Sequence, residues 1–356
     1  MAMIHHTRSA KMPRLASLLS IATSLALLSP AAAVQVKKPR IDLTARATIP
    51  DFAITYAPYS YLYSGEGWWP SDIATHIQHV TPEVNYAAVG SGVTLENLDT
   101  FPSDAYLTSD DNVQTDPSWL VSTYGKPNGS GYSAAPATII VVDKGDIIDV
   151  FYFYFYSYNQ GLTIFDTEFG NHVGDWEHSM VRFSSSGEPQ YVWLSEHSGG
   201  AAYNFSALAK TSDGRPITYI ANGGHANYAT AGDQDYEGGF LAIFGVYDKT
   251  NQGLAWDVTL NYRAFTFDNS TQTFALATGV DVGGSEEPAE GVSWLSWLGF
   301  WGDEQYPDSD SRQDCDFEEI TNECTFVSGP TGPLDKNLGR TTVCIDDSSC
   351  TINSSI

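Results

Sequence analysis

Basic side chains are scarce in this chain, which has 17 Lys and Arg residues against 43 Asp and Glu residues in a length of 356. Loss of the N-terminal leader described below removes three basic residues and leaves a net charge of −29. Such a chain is repelled by a phosphate backbone or an anionic lipid surface, which argues against nucleic acid as a partner and against simple electrostatic docking on membranes. The charge favours a protein that stays soluble in an acidic medium or attracts cations.

Cysteine is also rare, and its four copies lie near the C-terminus. In an oxidising compartment an even and clustered set predicts two disulfides, with three pairings left open. The irregular spacing makes a zinc site the weaker interpretation. The residues concerned are Cys315, Cys324, Cys344 and Cys350.

Long apolar runs are absent outside the N-terminus, so no transmembrane segment is expected. Three basic residues precede the apolar stretch 15–28, and three alanines follow it. We therefore predict a secretory signal peptide over residues 1–33 and a linker or pro-segment over 34–48. The mature protein is expected in the secretory pathway, either extracellular or vacuolar. Asn-X-Ser/Thr sequons compatible with a glycoprotein occur at Asn128, Asn204, Asn269 and Asn353.

Signals for β-strands dominate residues 49–302, where aromatic and β-branched runs alternate with turn residues. The run Ile147–Tyr158 places phenylalanines on one face and tyrosines on the other, which predicts a central strand with one dry face. Short helical patterns occur at Ser71–His79 and at Val292–Trp301; the second is interpreted as a packing helix or an exposed aromatic anchor.

The predicted fold class is all-β, a β-sandwich or jelly-roll-like domain over residues 49–302 with few short helices. Residues 303–356 are predicted to form an acidic, loop-rich extension that carries the two disulfides. No internal repeat is visible.

Imidazole and carboxylate groups are concentrated between residues 170 and 228. Asp175 and Glu177 are two apart, so both carboxylates project from the same face of a strand. His172 precedes them across Gly174, where the chain can bend back and bring the imidazole beside the carboxylates. This set favours a divalent cation such as calcium, magnesium or manganese. A hydrogen-bonded polar network without metal explains the same pattern.

Two neighbouring clusters are candidates for acid/base chemistry. Glu196 and His197 end one predicted strand, and two glycines precede His225, which permits close approach of the backbone. The candidate catalytic pairs, if the protein is an enzyme, are Glu177 with Glu196 or His197 with His225. The sequence contains no GxSxG, HExxH, P-loop or complete dinucleotide fingerprint.

An ordered series of motifs extends over nearly the whole mature chain. It includes YAPYSYLYSGEGWWPSDI, FYFYFYSYNQG, HVGDWEHSMVRF, SEHSGG, GGHANYA and GFWGD. The series resembles the family of the vacuolar protein sorting-associated protein 62, which is found in fungi, with related domains in plants. The resemblance implies a link to vacuolar sorting by name, with no agreed reaction.

The segment GNHVGDWEH resembles the GHRHDWE heptapeptide of necrosis- and ethylene-inducing peptide-like proteins. Those proteins are β-sandwich cytolysins that bind a divalent cation and dock on plant sphingolipid head groups. The resemblance implies metal ligands at His172, Asp175 and Glu177, with Asn159 standing where that family uses an upstream aspartate. Gly174 replaces the motif's second histidine, and Asn159 lacks charge. These departures weigh less against metal binding than against cytolysis.

Three functions remain open at this point. The first is a binding protein that recognises a glycan or glycolipid head group through a metal-centred pocket. The second is a metal-assisted hydrolase of a secretory-route substrate, for example a glycoside, with Glu177 or Glu196 as the acid/base group. The third is a non-catalytic vacuolar sorting protein whose polar cluster only stabilises the sandwich.

Overall fold

The computed structural model describes residues 47–164, 167–236, 245–278, 291–315, 323–346 and 350–356. The predicted signal peptide and residues 34–46 of the predicted linker lie outside these ranges. The last two residues of that linker, Ala47 and Thr48, form a strand that pairs in parallel with residues 277 and 278. Residues 44–356 cluster into one compact unit.

Strands make up most of the regular secondary structure, and nine of those in the described ranges form one large sheet. In order across the sheet they are β1 (Ala47–Thr48), β19 (Thr273–Thr278), β18 (Tyr262–Asp268), β6 (Ala137–Asp143), β7 (Ile147–Asn159), β10 (His172–Ser184), β11 (Pro189–Glu196), β12 (Gly199–Asn204) and β20 (Ile352–Asn353). The central strands β7 and β10 are 13 residues long and run antiparallel to each other. They form the frame on which the candidate site is built.

A smaller sheet lies over one face of the large one. Its strands are, in order, β14 (Asn227–Tyr228), β13 (Ile217–Ile220), β2 (Tyr59–Leu62) and β17 (Ala255–Asp257). The remaining described strands form small ribbons: β3 (Val80–Val84) with β4 (Ala87–Ala88) and β5 (Tyr106–Ser109), β8 (Leu162–Ile164) with β9 (Thr167–Phe169), and β15 (Gly232–Asp235) with β16 (Tyr247–Thr250). The predicted β-sandwich is therefore confirmed.

Helices are few and short among the described residues, as predicted. The α-helices are α1 (Asp51–Thr55) and α2 (Ile73–His76), and the 3₁₀ turns are Ile77–His79, Leu98–Thr100, Val113–Thr115, Phe205–Ala207, Val258–Leu260, Ser293–Ser296 and Pro333–Asp335. The segment Val292–Trp301 contains only one such turn, and Trp294, Trp297 and Trp301 are buried in the core. Its tryptophans therefore serve packing. Within the described ranges, no helix is long and apolar enough to cross a membrane.

Strand β7 separates two hydrophobic clusters. The phenylalanines on one face are Phe151, Phe153 and Phe155, and the tyrosines on the other are Tyr152, Tyr154 and Tyr156. The predicted segregation is confirmed, but the prediction of a single dry face is wrong, because the smaller sheet covers the tyrosine side. Buried hydroxyls on that side need partners, and Tyr152 donates to the Ala53 carbonyl oxygen at 2.6 Å.

The four cysteines form the two predicted disulfides. The pairs are Cys315–Cys324 and Cys344–Cys350, which decides among the three pairings that the sequence left open. Beyond the second disulfide, β20 pairs in parallel with β12 at the edge of the large sheet. Strand pairing thus attaches the C-terminal residues to the large sheet, whereas each disulfide closes a short local loop.

Burial of His76 predicts a loss of stability in acid. Nε2 of His76 donates to the Trp301 carbonyl oxygen at 3.1 Å, and burial lowers the pKa of the imidazole to about 3. An unfolded histidine titrates near pH 6.5, so between these values the unfolded state binds more protons and acidification favours unfolding. We expect this residue alone to reduce the free energy of unfolding by about 1.4 kcal/mol between about pH 7.5 and 5.5.

Urea denaturation gives the free energy of unfolding of wild type and of His76→Gln at the two pH values. The effect of His76 is the difference between the two proteins in how that free energy changes with pH. Glutamine is neutral throughout, so the variant should lose this part of the pH dependence whatever its stability at neutral pH. His79→Gln, on the same turn but only half-buried, is the matched control. An unchanged pH slope in His76→Gln would show that His76 is not the source.

Candidate functional site

A cavity of about 310 Å³ opens where β7 ends and β10 begins. Because the two strands are antiparallel, Asn159 at the end of β7 lies directly opposite His172 at the start of β10. Asp175, Glu177 and His197 line the same cavity. The structure therefore brings all four proposed metal ligands and one proposed catalytic histidine into one pocket.

Asp175 and Glu177 project together from β10 towards the tyrosine side of the sheet, as their spacing predicts. Each side chain is largely buried, and Glu177 Oε2 accepts a hydrogen bond from the Ser195 hydroxyl. Burial and the nearby charge of Asp175 raise the pKa of Glu177 to about 8. Two buried carboxylates side by side repel each other, and either a proton or a cation relieves that repulsion.

His172 has the tautomer that a metal ligand requires. Nδ1 donates to the Gly174 carbonyl oxygen at 2.7 Å, and burial lowers the pKa of the ring, so His172 is neutral. In that form Nε2 carries a lone pair instead of a proton. A backbone carbonyl that holds Nδ1–H in this way is a common support for metal-binding histidines.

His225 is not among the described lining residues of the pocket, but it contacts Asp175, which is. Its Nδ1 donates to Asp175 Oδ2 at 2.9 Å and its Nε2 donates to the Trp68 carbonyl oxygen at 3.0 Å. Burial opposes a charge on this ring, but the hydrogen bond to Asp175 and the nearby Glu66 outweigh it and raise the pKa of His225. The ring of Tyr156 stacks on His225 at 3.6 Å. Both ring nitrogens of the fully buried His225 thus have acceptors, and the ring orients the Asp175 carboxylate.

The two predicted catalytic pairs are not assembled in the cavity. Among the described lining residues, neither Glu196 nor His225 occurs. Burial raises the pKa of Glu196 to about 7, although this carboxyl lies outside the cavity that holds Glu177. His197 is the member that reaches the pocket, where its Nε2 hydrogen bonds Asp248 Oδ2 at 2.6 Å.

Sequence reasoning missed three charged residues of the pocket, namely Asp248, Glu323 and Lys336. For Asp248 the sequence gives only the alternation of a strand, which puts it on one face with Thr250, and the structure decides that this face is buried. Glu323 gave no such signal, since it lies beside Cys324 in a segment whose position depends on tertiary packing.

The donor types present fit calcium, magnesium or manganese. Carboxylates at Asp175 and Glu177, an amide oxygen at Asn159 and a neutral imidazole at His172 are ligands that such cations accept. In the described part of the chain, however, no group of three or more His, Cys, Asp or Glu side chains is close enough to hold an ion. A cation here would therefore need Asn159, backbone oxygens or water to complete its shell.

The fold and the pocket together define a class: a two-sheet β-sandwich protein with an acidic pocket at one end of its central strands. The family model described as vacuolar protein sorting-associated protein 62 matches residues 146–306. Vacuolar protein sorting-associated protein 62 of Saccharomyces cerevisiae is 34% identical over 347 residues, which cover 87% of this chain and 70% of that protein. TDA6 of the same yeast, also named for vacuolar protein sorting, is 37% identical over 334 residues, covering 83% and 68%. The chain belongs to the Vps62 family.

Solved structures of necrosis- and ethylene-inducing proteins are similar at a much lower level. Protein 2 from the causal agent of witches' broom disease of cocoa is 13% identical, with a TM-score of 0.29, over 52% of this chain and 70% of that one. The non-toxic HaNLP3 protein is 11% identical, with a TM-score of 0.30, over 70% and 86%. Likeness at this level carries no argument about the site.

Proposed function

We propose that this Vps62-family chain is a binding protein that uses a divalent cation in its acidic pocket to recognise a glycan or glycolipid head group. The observation that carries the proposal is the meeting of His172, Asp175, Glu177 and Asn159 in one cavity, with His172 in its neutral form. The cavity, of about 310 Å³, is at the small end of the range for ligand pockets. Calcium, magnesium and manganese are the candidate cations.

The charge of the pocket supports a cation rather than an anion. The described lining residues include the carboxyl groups of Asp175, Glu177, Asp248 and Glu323, against the single ammonium of Lys336. Glu177 holds a proton near neutral pH, which it would release to a bound cation. Burial reduces screening by water, so these charges act more strongly than they would at the surface. A cation bound here would keep open coordination positions for hydroxyl groups of a ligand.

We place this binding protein in the vacuole or outside the cell. The two disulfides favour an oxidising compartment, and the yeast relatives are named for vacuolar sorting. The predicted signal peptide would supply the entry to the secretory route.

Asp175→Asn and Glu177→Gln are expected to weaken cation binding at least about tenfold, because each removes a carboxylate ligand. Asp175→Asn should also lower stability, because it removes the acceptor of the His225 hydrogen bond. The measurement is calorimetric titration of EDTA-treated, dialysed protein with calcium, magnesium and manganese in turn. Thermal unfolding with and without each cation gives a second readout. A glycan array probed with the cation and with EDTA then tests ligand recognition.

Glu188→Gln is the matched control, since Glu188 is an exposed carboxylate on the hairpin between β10 and β11. It should titrate like wild type. If wild type binds none of the three cations, or if Asp175→Asn and Glu177→Gln keep wild-type affinity, the proposed site is wrong.

A hydrolase is the second candidate, and one observation favours it. Glu177, with its pKa raised to about 8 beside Asp175, has the protonation that a general acid needs at neutral pH. For a hydrolase, Glu177→Gln abolishes turnover and keeps ligand binding, whereas for a binding protein no turnover exists to lose. If the cluster is purely structural, Glu177→Gln should lower only the stability of the protein.

A further inference from the structure

Asp248 has one carboxylate oxygen that the fold does not satisfy. The side chain is fully buried, and its Oδ2 accepts hydrogen bonds from His197 Nε2 and from the Tyr228 hydroxyl, both at 2.6 Å. Oδ1 has no hydrogen-bond partner within the described ranges. Leaving a buried charged oxygen unpaired costs about 1–3 kcal/mol or more, so such an atom points to a partner outside the protein.

A second oxygen faces the same space. Nδ2 of Asn159 donates to the Gly170 carbonyl oxygen at 2.9 Å, and since a carbonyl only accepts, this bond fixes the orientation of the amide. Oδ1 of Asn159 and Oδ1 of Asp248 would each lie 3.8 Å from a β-carbon built on Gly224. Both oxygens therefore border one small volume that the glycine leaves open in the pocket wall.

A carboxylate oxygen and an amide oxygen that border the same volume are both ligands that a hard cation accepts. Asn159 supplies an oxygen and no charge, whereas Asp248 supplies the charge that a cation site needs. His197 and Tyr228 satisfy Oδ2 of Asp248, which leaves Oδ1 to water or to a cation; of the two, only a cation adds positive charge beside the buried carboxylate.

We propose that Asp248 is a further ligand of the cation in this pocket, acting through Oδ1 together with Asn159 Oδ1 and supplying the negative charge that Asn159 lacks. The proposal rests on the proposed function, because it concerns the same cation, and it names a ligand from β16 that the motif around residue 175 does not contain. The hydrogen bonds from His197 and Tyr228 to Oδ2 are then positioning contacts that aim Oδ1 into the pocket.

The test moves the charge from one residue to the other. Wild type, Asp248→Asn, Asn159→Asp and the double variant Asn159→Asp/Asp248→Asn are each freed of metal and titrated calorimetrically with calcium, magnesium and manganese. Asp248→Asn is expected to bind about tenfold or more weakly, and Asn159→Asp alone more tightly than wild type. The double variant should regain most of the lost affinity, because the charge returns to the same volume from the opposite side.

Gly224→Ala tests the volume itself without changing charge. Its β-carbon would lie 3.5–3.8 Å from its nearest neighbours and its backbone is not left-handed, so the variant should fold normally. It should nevertheless lose cation affinity, because the methyl group occupies the space between the two oxygens. Asp235→Asn, an exposed carboxylate on the neighbouring strand β15, is the control and should bind like wild type.

The outcomes separate this inference from the proposed function. If wild type binds a cation and both Asp248→Asn and Gly224→Ala bind it equally well, the role of Asp248 is refuted while the pocket remains a cation site. If wild type binds no cation, the proposed function fails and this inference fails with it. Loss in Asp248→Asn without recovery in the double variant would assign Asp248 a structural role and overturn the charge argument.

Discussion

Replacing Asp149 with asparagine is expected to lower the free energy of unfolding by about 3–5 kcal/mol. Asp149 is fully buried on β7, where its carboxylate pairs with Arg182 Nε at 2.7 Å and with Lys144 Nζ at 2.6 Å. Asparagine keeps the size but leaves two largely buried cations without their counter-charge, so that hydrogen bonds to backbone carbonyl oxygens alone oppose the cost of their desolvation.

The same cluster holds the C-terminal segment against the large sheet. Arg182 donates to the carbonyl oxygens of Thr341 and Thr342, both at 2.8 Å, and Lys144 donates to that of Arg340 at 2.7 Å. Loss of Asp149 should therefore also raise amide hydrogen exchange in residues 340–342.

Denaturation in urea measures the stability loss, and Asp310→Asn is the control. Asp310 also pairs with an arginine, Arg312, at 2.7 Å, but both side chains remain partly exposed. Its loss should change the unfolding midpoint little, as for most surface ion pairs. Similar losses in the two variants would contradict the assignment of Asp149 as the centre of a buried charge network.

Gly174→Ala is expected to lower the free energy of unfolding by about 3 kcal/mol, since strained backbone and an overpacked contact each cost about 1–3 kcal/mol. Gly174 has a φ of +67°, and a β-carbon there would overlap the Trp301 carbonyl oxygen. The residue also accepts the hydrogen bond from His172 and precedes Asp175. Displacement of its backbone should therefore disturb both side chains and weaken cation binding.

Gly92→Ala is a closely matched control for this variant. Gly92 has a φ of +68°, but a β-carbon there would meet no atom within 4 Å. It should show only the cost of left-handed backbone, about 1–2 kcal/mol. Equal losses in the two variants, measured by thermal and urea unfolding, would show that the contact with Trp301 does not matter.

Much of the candidate site could be predicted from local sequence. The spacing of Asp175 and Glu177 placed both carboxylates on one strand face, and Gly174 allowed His172 to approach them. The structure agrees on these positions. The structure adds that His172 lies opposite Asn159, which depends on how β7 and β10 align. The family resemblance, and not the spacing, suggested that Asn159 belongs to the site.

The acid/base pairs could not be predicted in the same way. Glu196 and His197 are neighbours in sequence, but only His197 lines the described pocket. His225 is held by Asp175 and by the Trp68 carbonyl oxygen. Which face of a short strand meets a cavity depends on the elements packed against it, and local pattern does not contain that information.

The sequence by itself determined the strand-rich class, the two faces of β7, the existence of two disulfides and the cluster around Asp175. These properties follow from periodicity, composition and short spacings, which act within one element. Only the tertiary structure decided that the smaller sheet covers the tyrosine face, which cysteines pair, and that Asp248 enters the pocket. The disulfides join cysteines only 9 and 6 residues apart, and the local fold of the C-terminal segment selects them among the three pairings. The cover over the tyrosine face and the position of Asp248 depend on contacts between residues far apart in the chain, which the packing of the whole core selects.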